Sequence, residues 1–400
     1  MKKYLFLLII PIWFIMSCSD SDEPMPEEVR NEKTLLMYMP WSSNLTTYFY
    51  QNIKDMESCI KEMGGLSNER VIVFISTTPT EASLFEIKYQ NGVSQRIALK
   101  SYVHPAFTTK DGIAQILHDV VSYAPANRYA MIIGCHGMGW LPVHASRAMR
   151  SEEKFHWDYT DRPLTRFFGG ITQEYQTDIF TLSAAIADTG LRMEYILFDD
   201  CYMSSIEVAY ELKDVADYLI ASTCEVMVYG MPYSTMGKHL LGSPDYKAVC
   251  NDFHAFYSNY PVPYGTLSVT DLSQIDDMAS LMQQINRTYT FDDSQRGQLQ
   301  NLDGYTPTIF YDYGDYIHLL LEQNNAPAHT KTEFDTLLNR LIPYKTNTDY
   351  FYTATRGPIK INRYSGITTS DPSVSLQAID KNRTKCMMPP TNLSIRVGRA

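Results

Sequence analysis

The stretch "YILFDDCYMSS", residues 195–205, decides how the chain is read. Tyr195 to Phe198 is a short unbroken apolar run, closed by two aspartates and a cysteine. Such a run, too short for a helix and with no polar alternation, reads as a strand buried on both faces of a sheet. Working outward, the same pattern recurs. Upstream lie "TLLMYM" (34–39), "RVIVFIS" (70–76) and "YAMIIG" (129–134). Downstream lie "DYLIAS" (217–222) and "GTLSVTDL" (265–272). Segments of helical spacing, 48–63, 110–124, 178–188 and 204–214, fall between them. Asn91-Gly92 splits 82–89 from 93–99 as a hairpin turn. This alternation predicts an α/β fold with a mostly parallel sheet and helices on both faces. Beyond about residue 272 the pattern weakens to helical pieces at 273–287, 312–323 and 331–341. The expected organisation is a main domain over 33–272 and a smaller mixed region over 273–400 packed on its core.

The chain starts differently. "MKKYLFLLIIPIWFIMSC" joins two lysines, an apolar run and a small residue before Cys18, which is a secretory signal over 1–17. The run is shorter than the roughly 20 residues a membrane span needs. It resembles a bacterial lipoprotein signal, which implies that Cys18 becomes the first mature residue and carries lipid. The acidic stretch after it, 18–32, reads as a flexible tether, and "SDSDE" resembles the surface-export signal of Bacteroides-type lipoproteins. The expected location is the bacterial cell envelope, with the chain lipid-anchored to a membrane, on the outer membrane and at the surface. A net charge of −11 without a basic patch argues against a nucleic-acid partner. Seven cysteines at irregular spacing, in a chain long enough to build its own core, predict no disulfide framework.

In an open parallel sheet, ligand sites form outside the carboxyl ends of the strands. Two of the strands end in reactive residues: "YAMIIGCHGMGW" in His136 and "YILFDDCYMSS" in Cys201. If those strands are neighbours, imidazole and thiol meet at one rim. A thiolate can attack a carbonyl while histidine protonates the leaving amine. Gly137 and Cys201 could each offer an N–H to the oxyanion. The competing readings are a small core cysteine, and a zinc site drawn from Cys135, His136, Cys201 and Cys224. No CxxC or HxxxH spacing supports zinc, and residues 135 and 136 point to opposite faces of a strand.

Asp199 poses a problem for the thiol. Period-two alternation puts it on the face of Cys201 and turns Asp200 away, leaving Asp200 free to cap the next helix. A carboxylate about 6 Å from a thiolate, at an effective dielectric of about 20, costs it roughly 2–3 kcal/mol. An incoming Arg or Lys side chain would offset that cost, so Asp199 is a candidate for substrate recognition. Glu225, in "TCEVMVYGMPY" (223–233), is a further candidate pocket wall.

"CHGMGW", "FDDCYMSSIEVAYELKDVADYLIAS" and "GMPY" resemble the clostripain family of cysteine peptidases, relatives of caspases and gingipains. "LLMYMPWSSNL", "SVTDL" and "YDYGDYIHLLL" add support, and the match runs from about residue 33 to 320. The resemblance implies a caspase-like α/β fold and a Cys–His dyad cleaving peptide or protein substrates after Arg or Lys. His136 would be the general acid and base, Cys201 the nucleophile, Gly137 an oxyanion donor, and Asp199 the floor of the basic pocket. Cys135 is a departure from the family pattern and offers a rival thiol. No cofactor is required; calcium is possible in this family, with no ligand run assigned here.

Between His136 and Cys201 lies a long polar segment, "HASRAMRSEEKFHWDYTDRPLTRFFGG" (144–170). Its basic residues suit the expected specificity, and self-cleavage at Arg150, or next at Arg147, is the expected activation event. The competing reading is a stable lid. Two other functions remain open from the sequence: a dyad enzyme of other specificity, such as a transpeptidase, and a non-catalytic surface lipoprotein binding peptide or glycan.

Overall fold

The computed structural model describes residues 30–141, 169, 173–306 and 308–370. The signal at 1–17, Cys18, most of the tether, and Arg147 and Arg150 with nearly all of segment 144–170 lie outside the described residues.

The chain opens with β1 (Asn31–Met39), helix α1 (Thr46–Glu62), β2 (Glu69–Thr78), β3 (Glu81–Gln90), β4 (Val93–Val103), helix α2 (Lys110–Tyr123) and β5 (Ala126–Gly134). It continues through β6 (Met193–Asp199), β7 (Ala216–Ala221) and β8 (Thr266–Asp271). The remaining strands are short: β9 (Tyr311–Asp312), β10 (Tyr344–Asn347), β11 (Tyr350–Thr353), β12 (Gly357–Lys360) and β13 (Thr368–Thr369).

Nine strands form one sheet in the order β10-β8-β7-β6-β5-β1-β2-β3-β4. The five central strands, β7 to β2 in that order, run parallel. β3 and β4 extend one side as an antiparallel hairpin, turned by Asn91 and Gly92 at φ 54° and 82°. Positive φ at both turn residues matches the twist of the flanking strands, which is why Asn-Gly serves here. On the other side β8 and β10 are antiparallel. β10 comes from beyond residue 272, so the C-terminal region hydrogen-bonds directly into the main sheet.

Period-two alternation sorts the core into two layers. Met131, Ile133, Ile196 and Phe198 face one cluster, which takes in Ile113 and Leu117 of α2. Ala130, Ile132, Tyr195 and Leu197 face the other, against Phe49, Ile53 and Met56 of α1. Each large apolar side chain buried this way contributes roughly 1.5–3 kcal/mol, which is why these strands carry no polar break. At the opposite end from the strands' carboxyl termini, Lys33 is fully buried and its ammonium donates to Glu194 at 3.1 Å and to the Leu240 carbonyl at 3.1 Å.

The strand order reverses between β1 and β5: β2, β3 and β4 lie to one side, β5, β6 and β7 to the other. Loops leaving adjacent strands part there in opposite directions and open a crevice.

Candidate active site

Gly134 of β5 is level with Asp199 of β6 in the parallel register. The residues that follow each strand therefore leave the sheet together at one rim. Gly137 brings the two turns into backbone contact. A Cβ placed on it would lie 2.2 Å from the Cys201 carbonyl oxygen and 2.9 Å from the Cys201 nitrogen. No residue but glycine tolerates that approach.

His136 and Cys201 are both fully buried. His136 Nε2 lies 2.8 Å from Oδ1 of Asn44, in the loop after β1. The sulfur of Cys201 accepts the Val226 N–H at 3.2 Å, a donor aimed at the atom where negative charge would develop. The rival thiol packs in the same cluster as Cys201. Cys135 packs in the cluster of Ile133 and Phe198, and its thiol donates to Asp200 Oδ2 at 3.3 Å. Cys135 and His136 both lie beyond the end of β5 at Gly134, in the turn that leaves the strand. The other described cysteines stay protonated: burial pushes Cys224 and Cys250 up to about 12 and Cys59 to about 11. All five described cysteines carry free thiols.

Two expectations from alternation need correcting. β6 ends at Asp199 and the chain bends at Asp200, so the shared face expected for Asp199 and Cys201 is not observed: Cys201 packs in the cluster of Phe198. Nor does Asp200 cap the next helix. Ser205 does, accepting from Val208 N–H at 3.2 Å, while Asp200 receives the Cys135 thiol. That helix, Ile206–Leu212, starts later than expected from its apolar spacing because Ser205 is its cap and Ser204 bonds outside it.

Asp199 is fully buried; its Oδ1 accepts from Met231 N–H at 3.1 Å and its Oδ2 from the Tyr233 hydroxyl at 3.0 Å. Glu225 is also buried and is tied inward. It accepts the Tyr202 hydroxyl at 2.9 Å and, through both oxygens, the Ala354 N–H at 3.2 and 3.1 Å. Tyr202 itself holds a left-handed φ of 62° directly after the cysteine, and its ring stacks on Phe310 at 5.0 Å between centroids. Burial, then the Glu225 charge, drives the Tyr202 phenol well above its ordinary range. Two residues on, Ser204 donates to the Gly366 carbonyl at 2.8 Å and accepts from Thr368 N–H at 3.0 Å. The turn carrying Cys201 is thus enclosed by residues 354–368. The sequence reading did not find Asn44, Tyr202, Val226 or Tyr233; the polar run "WSSN" directly after a buried strand was the one available signal for Asn44.

Residues 37–350 match the model of the clostripain family, Peptidase_C11. The chain belongs to the clostripain family. It is similar to a secreted C11 cysteine protease from Bacteroides thetaiotaomicron, "iotapain", with 51% identity over 92% of this chain and 100% of that one, at a TM-score of 0.82. A clostripain from Bacteroides thetaiotaomicron ATCC 29148, solved with the peptide inhibitor BTN-VLTK-AOMK, is 51% identical over 58% of this chain and 100% of that one, at a TM-score of 0.54. An inactive zymogen C11 protease from Parabacteroides distasonis, 23% identical, shares the fold over 93% of this chain and 100% of its own, at a TM-score of 0.75. The comparison with curated proteins gives no match. The caspase-like architecture and cysteine-peptidase class expected from the motifs therefore hold. Among the described residues no group of three or more His, Cys, Asp or Glu is placed to hold a metal ion, so calcium is given no ligands here. Among them, too, no helix is long and apolar enough to cross a membrane.

Proposed function

We propose that the protein is an endopeptidase that cleaves after Arg or Lys, with Cys201 as nucleophile and His136 as general acid and base. The observation that carries this reading is the backbone contact of Gly137 with Cys201, which joins the two strand-end turns at one point of the rim. The thiolate adds to the scissile carbonyl carbon, and the resulting oxyanion is held by the N–H groups of Gly137 and Cys201. As the C–N bond breaks, protonated His136 gives its proton to the departing amine. Neutral His136 then takes a proton from water, which attacks the thioester and releases the acid and the thiol.

Asp199 is the proposed recognition group for the basic side chain. The bonds from Met231 and Tyr233 fix the orientation of its two oxygens, and a guanidinium or ammonium brings the opposite charge that a buried carboxylate calls for. The relative solved with BTN-VLTK-AOMK supports this reading, since that peptide ends in lysine before its reactive group. Glu225 contributes behind the pocket, through Tyr202, and not as a contact to substrate.

The test is labelling with an Arg-directed peptidyl acyloxymethyl ketone, followed by peptide mapping. The label should sit on Cys201, and Cys201→Ala and His136→Ala should lose amide hydrolysis while Cys135→Ala keeps it. A label on Cys135 sinks the assignment.

Cys18 is the proposed lipid attachment site in the cell envelope; fatty-acid labelling that persists in Cys18→Ala removes it. Self-cleavage at Arg150, or next at Arg147, is the proposed activation event. Wild type should yield two associated fragments and Cys201→Ala should stay whole. An intact wild type already active on an Arg peptide rules the mechanism out.

A further inference from the structure

We infer that Asn44 is a positioning residue of this site, fixing which nitrogen of His136 exchanges protons with the thiol and the leaving amine. The inference rests on the reading of His136 as general acid and base.

The crevice between β1 and β5 is where the strand order reverses, and the loops leaving both strands border it. One loop carries His136, just beyond β5. The other, "PWSSNL" (40–45), carries Asn44 just beyond β1. That second loop is held in shape from both ends. The Ser42 hydroxyl donates to the Pro40 carbonyl at 2.9 Å, Ser43 takes a left-handed φ of 56°, and Leu45 is fully buried at the start of α1. The result is Asn44 Oδ1 at 2.8 Å from His136 Nε2.

A carbonyl oxygen can only accept. Nε2 must therefore carry the hydrogen of this bond, and the neutral ring keeps its lone pair on Nδ1. Nδ1 is then the atom that takes and returns the proton. When the ring is protonated, its Nε2–H already faces an oriented carbonyl dipole, so the cation needs no rearrangement to be stabilised. Without the bond, the imidazole is free to sample the other tautomer, which offers the thiol an N–H where a base is needed. Asn44 is the exposed residue of a loop otherwise buried or half-buried, so replacing it removes no core side chain.

The test is kinetics on an Arg peptide amide with the full chain. Asn44→Ala should lower kcat by roughly 10- to 100-fold, a part of what acid–base catalysis supplies, with KM and the thermal midpoint unchanged. Asn44→Asp keeps an acceptor oxygen at the same position and should recover most of the loss. The inference is overturned if Asn44→Ala turns over like wild type, if only KM moves, or if Asn44→Asp is as impaired as Asn44→Ala. Activity surviving in His136→Ala is a different failure: it removes the general acid and base reading itself.

Discussion

The Tyr202 hydroxyl donates to Glu225 Oε1 at 2.9 Å, and the same carboxylate accepts the Ala354 N–H. The residue directly after Cys201 is therefore tied, through one buried acid, to the end of β11. Removing that acceptor costs roughly 1–3 kcal/mol for each donor it serves. Glu225→Ala should unfold at a clearly lower denaturant midpoint than wild type, and Glu225→Gln, which keeps an acceptor oxygen, should fall between them. An unchanged midpoint in Glu225→Ala would show that the bond carries no net stability.

Gly137→Ala is a test of geometry alone. Its methyl would sit 2.2 Å from a main-chain oxygen of Cys201, which cannot rotate away as a side chain would. The two turns must separate, and a displacement of about 1 Å at a reacting centre costs on the order of 100-fold in rate. Turnover of an Arg amide should drop by that order with the circular dichroism spectrum retained. Near-normal turnover would mean that the contact is not needed for catalysis.

Asp199→Asn keeps the size of the side chain and removes its charge. Cleavage after Arg should fall by roughly 100-fold or more, because a buried unpaired cation is penalised by several kcal/mol. Alkylation of Cys201 by a small neutral reagent should not fall with it. Equal losses in the two assays would assign Asp199 to the fold or the thiol, not to recognition.

Asp303 makes stability depend on pH. Burial raises its carboxyl to about 7 in the folded chain from an ordinary 3.8, against the opposing pull of N–H groups from Phe310, Ile309 and Tyr305. The folded state then binds a proton more readily than the unfolded one between those values. The stabilisation is full below the unfolded value and is lost as pH rises through about 7. Thermal melts should show a midpoint that declines from mildly acidic to mildly alkaline pH, and Asp303→Asn should flatten that decline. A wild-type midpoint that rises over this range would contradict the sign.

The strands bearing His136 and Cys201 were legible because burial on both faces leaves an unbroken apolar run, and such runs are rare by chance. Their adjacency was not, since register is set by pairing and not by composition. β10 escaped notice because "YKTN" is an edge strand, where half the residues meet water and no apolar pattern is required. The bend at Asp200 broke alternation where the strand gave out, which is why Asp200 and Cys201 point otherwise than expected. Asn44 is one polar residue in a polar loop. Only the reversal of strand order beside it gives it a partner.

The enclosure of the Cys201 turn by residues 354–368 has a consequence for how the molecule comes into being. A polypeptide is made from its amino end. Every central strand has emerged before Ala354, Gly366 and Thr368 exist to bond with Glu225 and Ser204. The surroundings of Cys201 are thus completed only by residues about 150 to 170 positions downstream of it. A nascent chain of this design has its central strands before the turn after β6 is enclosed, so synthesis of the sheet and completion of that turn are separated in time.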